Sequence, residues 1–249
     1  MPSLFIKHIG IVLALAGSLS AGNDEATRIL QSNSLPDFST LILLKKDLNR
    51  LNSEPVVVSN PSSCVIPFVR AGNLILIKAK VDTTEGNFIL DTGAPNLVLN
   101  MTYFRNYPSS NNSSDQEQGG VTGSVAAVNP TSIDSLSFGS VKYFKMEADR
   151  INLGHIENSK GVKILGLLGT KLFKQFELII DYEKSLIYLH LIGKKESASY
   201  KSEFLKDTAT YTAVPIDIVE DKIVAHAEMA GKKLRFVIDS GAESNVLDS

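Results

Sequence analysis

The sequence predicts an all-β fold of the sandwich or barrel class, and two observations predict it. From Cys64 to Leu191 the chain reads as short runs rich in Val, Ile and Leu, spaced about ten residues apart and separated by Gly, Asn and Asp turns. The pattern Phe88-Ile89-Leu90-Asp91-Thr92-Gly93-Ala94-Pro95-Asn96-Leu97-Val98-Leu99 then returns near the end as Phe236-Val237-Ile238-Asp239-Ser240-Gly241-Ala242-Glu243-Ser244-Asn245-Val246-Leu247. In both, an apolar run reads as a buried strand that carries a carboxylate out of the core at its end.

The two stretches agree beyond the motif. Placing Asp91 on Asp239 is an offset of 148 (239 − 91), and the same offset places Ile66-Pro67 on Val214-Pro215 without a gap. It also sets Leu76 on Val224, Ala79 on Ala227, Val81 on Met229, Phe88 on Phe236 and Val98 on Val246. One Asp-(Thr/Ser)-Gly arises by chance in roughly one chain of this length in ten, and alone it is an ordinary strand-end turn. Two at one register, inside matching strand patterns, read as an internal repeat.

The composition is that of a globular protein: 249 residues, 43% hydrophobic, 21% charged and a formal charge of −2. The near-neutral balance and the absence of a basic stripe argue against a nucleic-acid partner. A lone cysteine, Cys64, excludes an internal disulfide. Residues 1–20 have the layout of a secretory signal, with Lys7 and His8 before the apolar run Ile9–Ala16, then Gly17, Ser18 and Ser20. The run is too short to span a bilayer. Cleavage at Ser20/Ala21 would leave an exported, periplasmic or extracellular protein without a stable membrane span. The other reading of this run is an N-terminal anchor or a buried helix.

Residues 21–63 differ in character. Leu41, Leu44, Leu48 and Leu51 fall at helical spacing across Asp37–Leu51, with Asp37 or Ser39 as possible caps. This is a helical pro-segment over an active-site cleft or a plain spacer helix. Residues 64–192 carry the first copy. Strands are expected at Val65–Val69, Leu74–Val81 and Asn87–Leu90, with turns at Ala71-Gly72-Asn73 and Thr84-Glu85-Gly86. Residues 105–124 form a long polar loop. Strands resume at Ile133–Phe138 and Val141–Met146, followed by the apolar Ile164–Gly169, a short helix Thr170–Phe176, and strands Glu177–Asp181 and Leu186–Leu191. Residues 193–210 read as a linker, and residues 211–249 begin the second copy.

Asp91-Thr92-Gly93-Ala94, Asp239-Ser240-Gly241-Ala242, Leu167-Leu168-Gly169 with Leu172-Phe173, and Ile180-Asp181-Tyr182 together give the chain a family resemblance. It resembles the retropepsin- and pepsin-like aspartic proteases, most closely exported bacterial proteins with two retropepsin-like repeats. The resemblance covers residues 65–192 fully and 211–249 in part. It implies a pseudo-two-fold, bilobal acid-protease barrel with an incomplete second lobe, and an apolar-apolar-Gly segment, Leu167-Leu168-Gly169, threading behind the catalytic loop. It implies that the hydroxyls of Thr92 and Ser240 tie the two loops together, and that a glycine-bearing flap, here Gly119 to Gly123 with Gly120 and Gly123, closes over a polypeptide substrate.

The residue types suit that chemistry. Two carboxylates about 3 Å apart cannot both ionise at ordinary pH, so Asp91 and Asp239 would share one proton and activate a water between them. Gly93 and Gly241 let the backbone turn sharply, so that amide N–H groups point at the carboxylates. The four histidines lie apart with no cysteine or His-x-x-x-His partner, so neither a metal nor a cofactor is expected. The expected activity is aspartic endopeptidase. The alternative is a non-catalytic peptide-binding module of the same fold, and retention of both acids, both hydroxyls and both glycines favours the enzyme. The second copy has ten residues after Asp239 (249 − 239). The expectation is therefore a two-lobed monomer if the natural chain runs on, or a homodimer joined through first copies if it does not.

Overall fold

Burial on both faces of three strands decides the architecture. The computed structural model describes residues 63–109, 129–197, 199, 200, 202, 206 and 214–244, together with the backbone of 10–14, 56–57, 118–119 and 125–126. Along the chain these give β1 (Gly10–Ala14), β2 (Val56–Val57), β3 (Ser63–Ala71), β4 (Leu74–Val81), β5 (Thr84–Asp91) and β6 (Val98–Asn100). Helix α1 (Met101–Phe104) follows, then β7 (Gln118–Gly119), β8 (Val125–Ala126), β9 (Asn129–Phe138), β10 (Val141–Ile151) and helix α2 (Gly154–Lys160). After β11 (Gly166–Gly169) come a 3₁₀ turn at Thr170–Phe173, β12 (Phe176–Asp181), β13 (Leu186–Leu191), β14 (Ile216–Val219), β15 (Lys222–Met229) and β16 (Lys232–Val237).

Six strands close into a barrel in the order β4-β5-β11-β6-β10-β9, and β9 returns to β4 through Lys80↔Ser137 and Val81↔Leu136. The expected all-β barrel is what the chain forms. Ile75, Ile77, Ala79, Val81, Phe88, Leu90, Leu97 and Leu99 point into one buried cluster. Their neighbours Leu74, Leu76, Ile89 and Val98 point the other way, into a second cluster completed by Leu153 and Ile164 on either side of α2. That double burial is why β4, β5 and β6 read as near-continuous apolar runs and not as alternating ones. Each large side chain so buried contributes about 1.5–3 kcal/mol relative to exposure.

β11 threads through the middle of this arrangement. It runs parallel to β5, pairing Gly166↔Phe88 through Gly169↔Asp91, and antiparallel to β6. A Cβ on Gly166 would stand 2.1 Å from the Val98 carbonyl oxygen, so only glycine allows the three backbones to lie this close. Beyond the barrel the sheet continues as β4-β3-β13-β12-β1. The backbone of Gly10–Ala14, inside the apolar run read as a leader, lies antiparallel on β12.

β14–β16 pair in the register of β3–β5 moved by 148 residues. β4 and β5 pair Leu76↔Ile89, and β15 and β16 pair Val224↔Val237, each residue moved by 148. β3 and β4 pair Arg70↔Ile75, and β14 and β15 pair Ile218↔Ile223. The turns agree as well, with positive φ at Asp82 (51°) and at Ala230 (53°). Ile223 is fully buried in the first copy's main cluster, against which Ile216 and Ile238 also pack. Val237 and Met229, whose counterparts Ile89 and Val81 are buried, are 43% and 47% exposed.

Several local expectations are corrected. The turn after β4 is Asp82-Thr83, and Thr84-Glu85-Gly86 is already strand. Gly86 is a packing residue, since a Cβ there would meet Leu165 Cδ1 at 2.7 Å. The helix expected over Thr170–Phe176 is a 3₁₀ turn ending at Phe173, because Phe176 already pairs with Leu191 in β12–β13. β10 continues to Ile151, carried by its parallel ladder with β6 despite its polar residues. Helix α2 was not expected. The helix expected at Asp37–Leu51 lies outside the described residues.

Gly166→Ala should lower stability by more than about 2 kcal/mol, since backbone and not a flexible side chain blocks the methyl group. Gly193→Ala, with open space around it, is the control and should melt within about 0.5 kcal/mol of wild type in thermal denaturation.

Candidate active site

Asp91 closes β5, where the strand leaves the core and its backbone groups need new partners. β11 and the two residues after it supply them. The Thr170 amide donates to the Ala94 carbonyl (2.8 Å), the Thr170 hydroxyl donates to the Thr92 carbonyl (2.9 Å), and the Lys171 amide donates to Pro95 (3.1 Å). Leu167-Leu168-Gly169 therefore lies behind the loop, as the resemblance implies. Thr170 escaped the sequence reading; its position directly after the apolar-Gly segment was the available signal.

The two Asp-(Thr/Ser)-Gly loops meet through four crossed hydrogen bonds. The Thr92 hydroxyl donates to the Ile238 carbonyl (2.8 Å) and accepts from the Ser240 amide (2.9 Å). The Ser240 hydroxyl donates to the Leu90 carbonyl (2.7 Å) and accepts from the Thr92 amide (3.0 Å). Thr92 is only 2% exposed, so its hydroxyl has no water to fall back on. This pair of reciprocal bonds gives the site a local two-fold character.

The carboxyls lie on either side of that junction. Asp91 Oδ1 accepts from the amides of Gly93 (2.8 Å) and Ala94 (3.1 Å), and Asp239 Oδ1 accepts from Gly241 (2.8 Å). A Cβ on Gly93 would stand 2.4 Å from Asp239 Cγ, and one on Gly241 would stand 2.5 Å from Asp91 Cγ. Each glycine is thus bare because the opposite carboxyl occupies the space a side chain would need. Burial first, and the Asp239 carboxylate second, push the Asp91 carboxyl up to about 6, against the lowering effect of the two amides. Such a pair titrates as a unit, and at mildly acidic pH it holds a proton.

The second loop draws further support from β15, from the turn after β3 and from α2. The Ile238 amide donates to Ile223, Asn73 Nδ2 donates to the Glu243 carbonyl (2.9 Å), and Lys160 Nζ pairs with the Glu243 carboxylate at 2.8 Å. Asp91, Thr92, Gly93, Asp239, Ser240 and Gly241 are therefore brought together at one place. The candidate flap residues Gly120 and Gly123 lie outside the described residues; on either side of them the backbones of β7 and β8 pair antiparallel. Among the described residues no group of three or more His, Cys, Asp or Glu could hold a metal ion, and no helix is long and apolar enough to cross a membrane.

A family model described as aspartyl protease matches residues 77–172. The match takes in Asp91, Thr92, Gly93 and the Leu167-Leu168-Gly169 segment, and it supports the resemblance over the first copy. Among solved structures, the chain is similar to the crystal structure of a retropepsin-like aspartic protease from Rickettsia conorii, with 19% sequence identity. That similarity covers 55% of this chain and 92% of that chain, with a TM-score of 0.34. No curated protein matches the chain.

A raised carboxyl favours the folded state while it is protonated, so the stability linked to Asp91 is full below its unfolded value and is lost as pH rises through about 6. Asp91→Asn cannot undergo that loss. Thermal denaturation of both proteins across this window should show the variant gaining on wild type with rising pH, to a plateau on the order of 1–3 kcal/mol. A difference that stays flat with pH would contradict the shift.

Proposed function

We propose that the chain is an aspartic endopeptidase, hydrolysing peptide bonds with a water activated between Asp91 and Asp239. The observation that carries this reading is the pair of carboxyls set face to face by the crossed Thr92 and Ser240 hydrogen bonds. A lone strand-end turn needs no such partner.

In this reaction the ionised carboxylate takes a proton from the water while the protonated one donates a hydrogen bond to the scissile carbonyl. Attack gives a tetrahedral diol, with no covalent bond to the protein. Collapse transfers a proton to the leaving nitrogen and returns the pair to its singly protonated form. The protein supplies positioning and a water-poor setting. Gly93, Ala94 and Gly241 N–H groups orient the carboxyls, and burial keeps one of them neutral at mild acidity. The match of β14–β16 to β3–β5 at one offset supports reading the chain as two copies of one lobe motif, each giving one acid.

Asp91→Asn and Asp239→Asn should each reduce cleavage of an unfolded protein substrate by about a thousandfold or more, with the fold retained. A statine transition-state inhibitor should block the wild type. Activity should fall as pH rises through about 6, where the pair loses its shared proton. Inhibitor binding without turnover in the wild type would favour a peptide-binding module instead. Either single variant cleaving at near wild-type rate would sink the dyad assignment.

Export belongs to the same proposal, supported by the leader-like layout of residues 1–20. N-terminal sequencing of the extracytoplasmic protein should give a start near Ala21. Met1 at the start of that fraction would point to an uncleaved anchor.

A further inference from the structure

Away from the dyad, the outer face of β12, β13 and β3 carries a polar row that the proposed chemistry does not use. Glu177, His190 and Ser63 stand side by side across the three strands, through the pairs Glu177↔His190 and His190↔Ser63. On this face they edge a cavity of about 430 Å³, whose walls include Val65, Ile179, Tyr188 and Tyr200. No dyad or catalytic-loop residue lines it.

Glu177 is the unusual member. It is 6% exposed, and its Oε2 accepts from the Tyr200 hydroxyl at 2.7 Å. Its other oxygen, Oε1, is buried with no hydrogen-bond partner among the described residues. A buried carboxylate oxygen normally has a donor, and leaving one without is costly. The imidazole of His190 is not that donor: Nδ1 lies 2.8 Å from Ser63 Oγ and Nε2 lies 3.1 Å from Glu196 Oε1. The same ring stacks on Tyr200, with centroids 5.5 Å apart, which holds the Tyr200 hydroxyl on Glu177. The carboxylate is therefore held by one donor and lacks a second among the described residues. Among the described residues no lysine or arginine lines the cavity, and the remaining walls they form are apolar or aromatic.

We propose that this cavity is a second binding site, distinct from the dyad, for a cationic group on an apolar stem, an ammonium or a guanidinium. The cation donates to Glu177 Oε1, and the stem lies along Val65, Ile179 and Tyr188. A charge-assisted bond to a buried carboxylate is the contact that gives such a site its selectivity. The aromatic faces of Tyr188 and Tyr200 suit the edge of a delocalised cation. A free amine and the side chain of an Arg-bearing peptide present the same chemistry, and two probes separate them.

The test is calorimetric titration of the full chain, in an Asp91→Asn background so that the dyad does not take up the cation. The probes are agmatine and a capped Ala-Arg-Ala peptide, with N-butylurea as the neutral control. Saturable one-to-one binding of agmatine, absent for N-butylurea, is expected. Binding of both cations would assign a guanidinium site open to peptides; binding of agmatine alone would assign a small-amine site. Glu177→Gln keeps the shape and the Tyr200 contact while removing the charge, and should weaken binding by about tenfold or more. Val65→Trp is a substitution at a position 53% exposed; it fills the cavity mouth and should abolish binding without unfolding the chain, so it decides the matter if the Gln variant does not fold. Absence of saturable agmatine binding into the millimolar range overturns the proposal, as does binding that both variants leave unchanged.

Discussion

Two carboxyls facing each other across a few ångströms repel once both ionise, and the structure around Asp91 and Asp239 is what holds them there. A β-hydroxyl is the small group that can donate and accept at once, and the junction asks for both. Thr92 gives its proton to the Ile238 carbonyl and takes one from the Ser240 amide, while Ser240 does the same toward Leu90 and Thr92. Valine has the shape of threonine, but in place of Thr92 it would leave a carbonyl and an amide unpaired in a buried place. The two glycines then follow from the same closeness, since each sits where the other loop's carboxyl needs room.

The junction is only as rigid as the strands that end in it. β5 is held on one side by β4 and on the other by β11, and β11 in turn lies against β6. Gly166 and Gly169 make that threading possible: added methyl groups would meet the carbonyls of Val98 and Asn96 at 2.1 and 2.2 Å. The apolar clusters on the two sides of β4 and β5 keep the strand ends from moving apart, so core packing reaches the carboxyl directly through Phe88, Ile89 and Leu90.

Much of this was legible in the chain because it is written as local pattern. The strand runs, the doubled Asp motif and the offset of 148 all appear as sequence, and the pairing Leu76↔Ile89 with Val224↔Val237 follows that offset. What escaped was set by distant partners. Gly86 reads as a turn residue until Leu165 is placed on it. Residues 147–151 look too polar for a strand until β6 supplies a ladder. Thr170 reads as a helix start until the carbonyls of Thr92 and Ala94 are found beside it. Glu177 carried no signal at all, because its hydrogen-bond partner Tyr200 lies more than twenty residues away in sequence.

Equal in register, the two acids are unequal in surroundings. Asp91 lies at the end of a strand paired on both sides and receives two amide donors. Asp239 follows a strand paired only with β15 among the described residues, and receives one. The extra amide favours a charged Asp91, yet burial outweighs it and favours the neutral form. In the proposed reaction the pair shares one proton, and the raised Asp91 carboxyl keeps that proton available at mildly acidic pH. Support for the Asp239 loop comes from Asn73 and from Lys160, whose pairing with the half-exposed Glu243 carboxylate is a rim contact of small energy. The Asp239 loop is thus the more lightly held of the two. The difference lies in what anchors each loop: two amides and a strand paired on both sides for Asp91, one amide and a surface ion pair for Asp239.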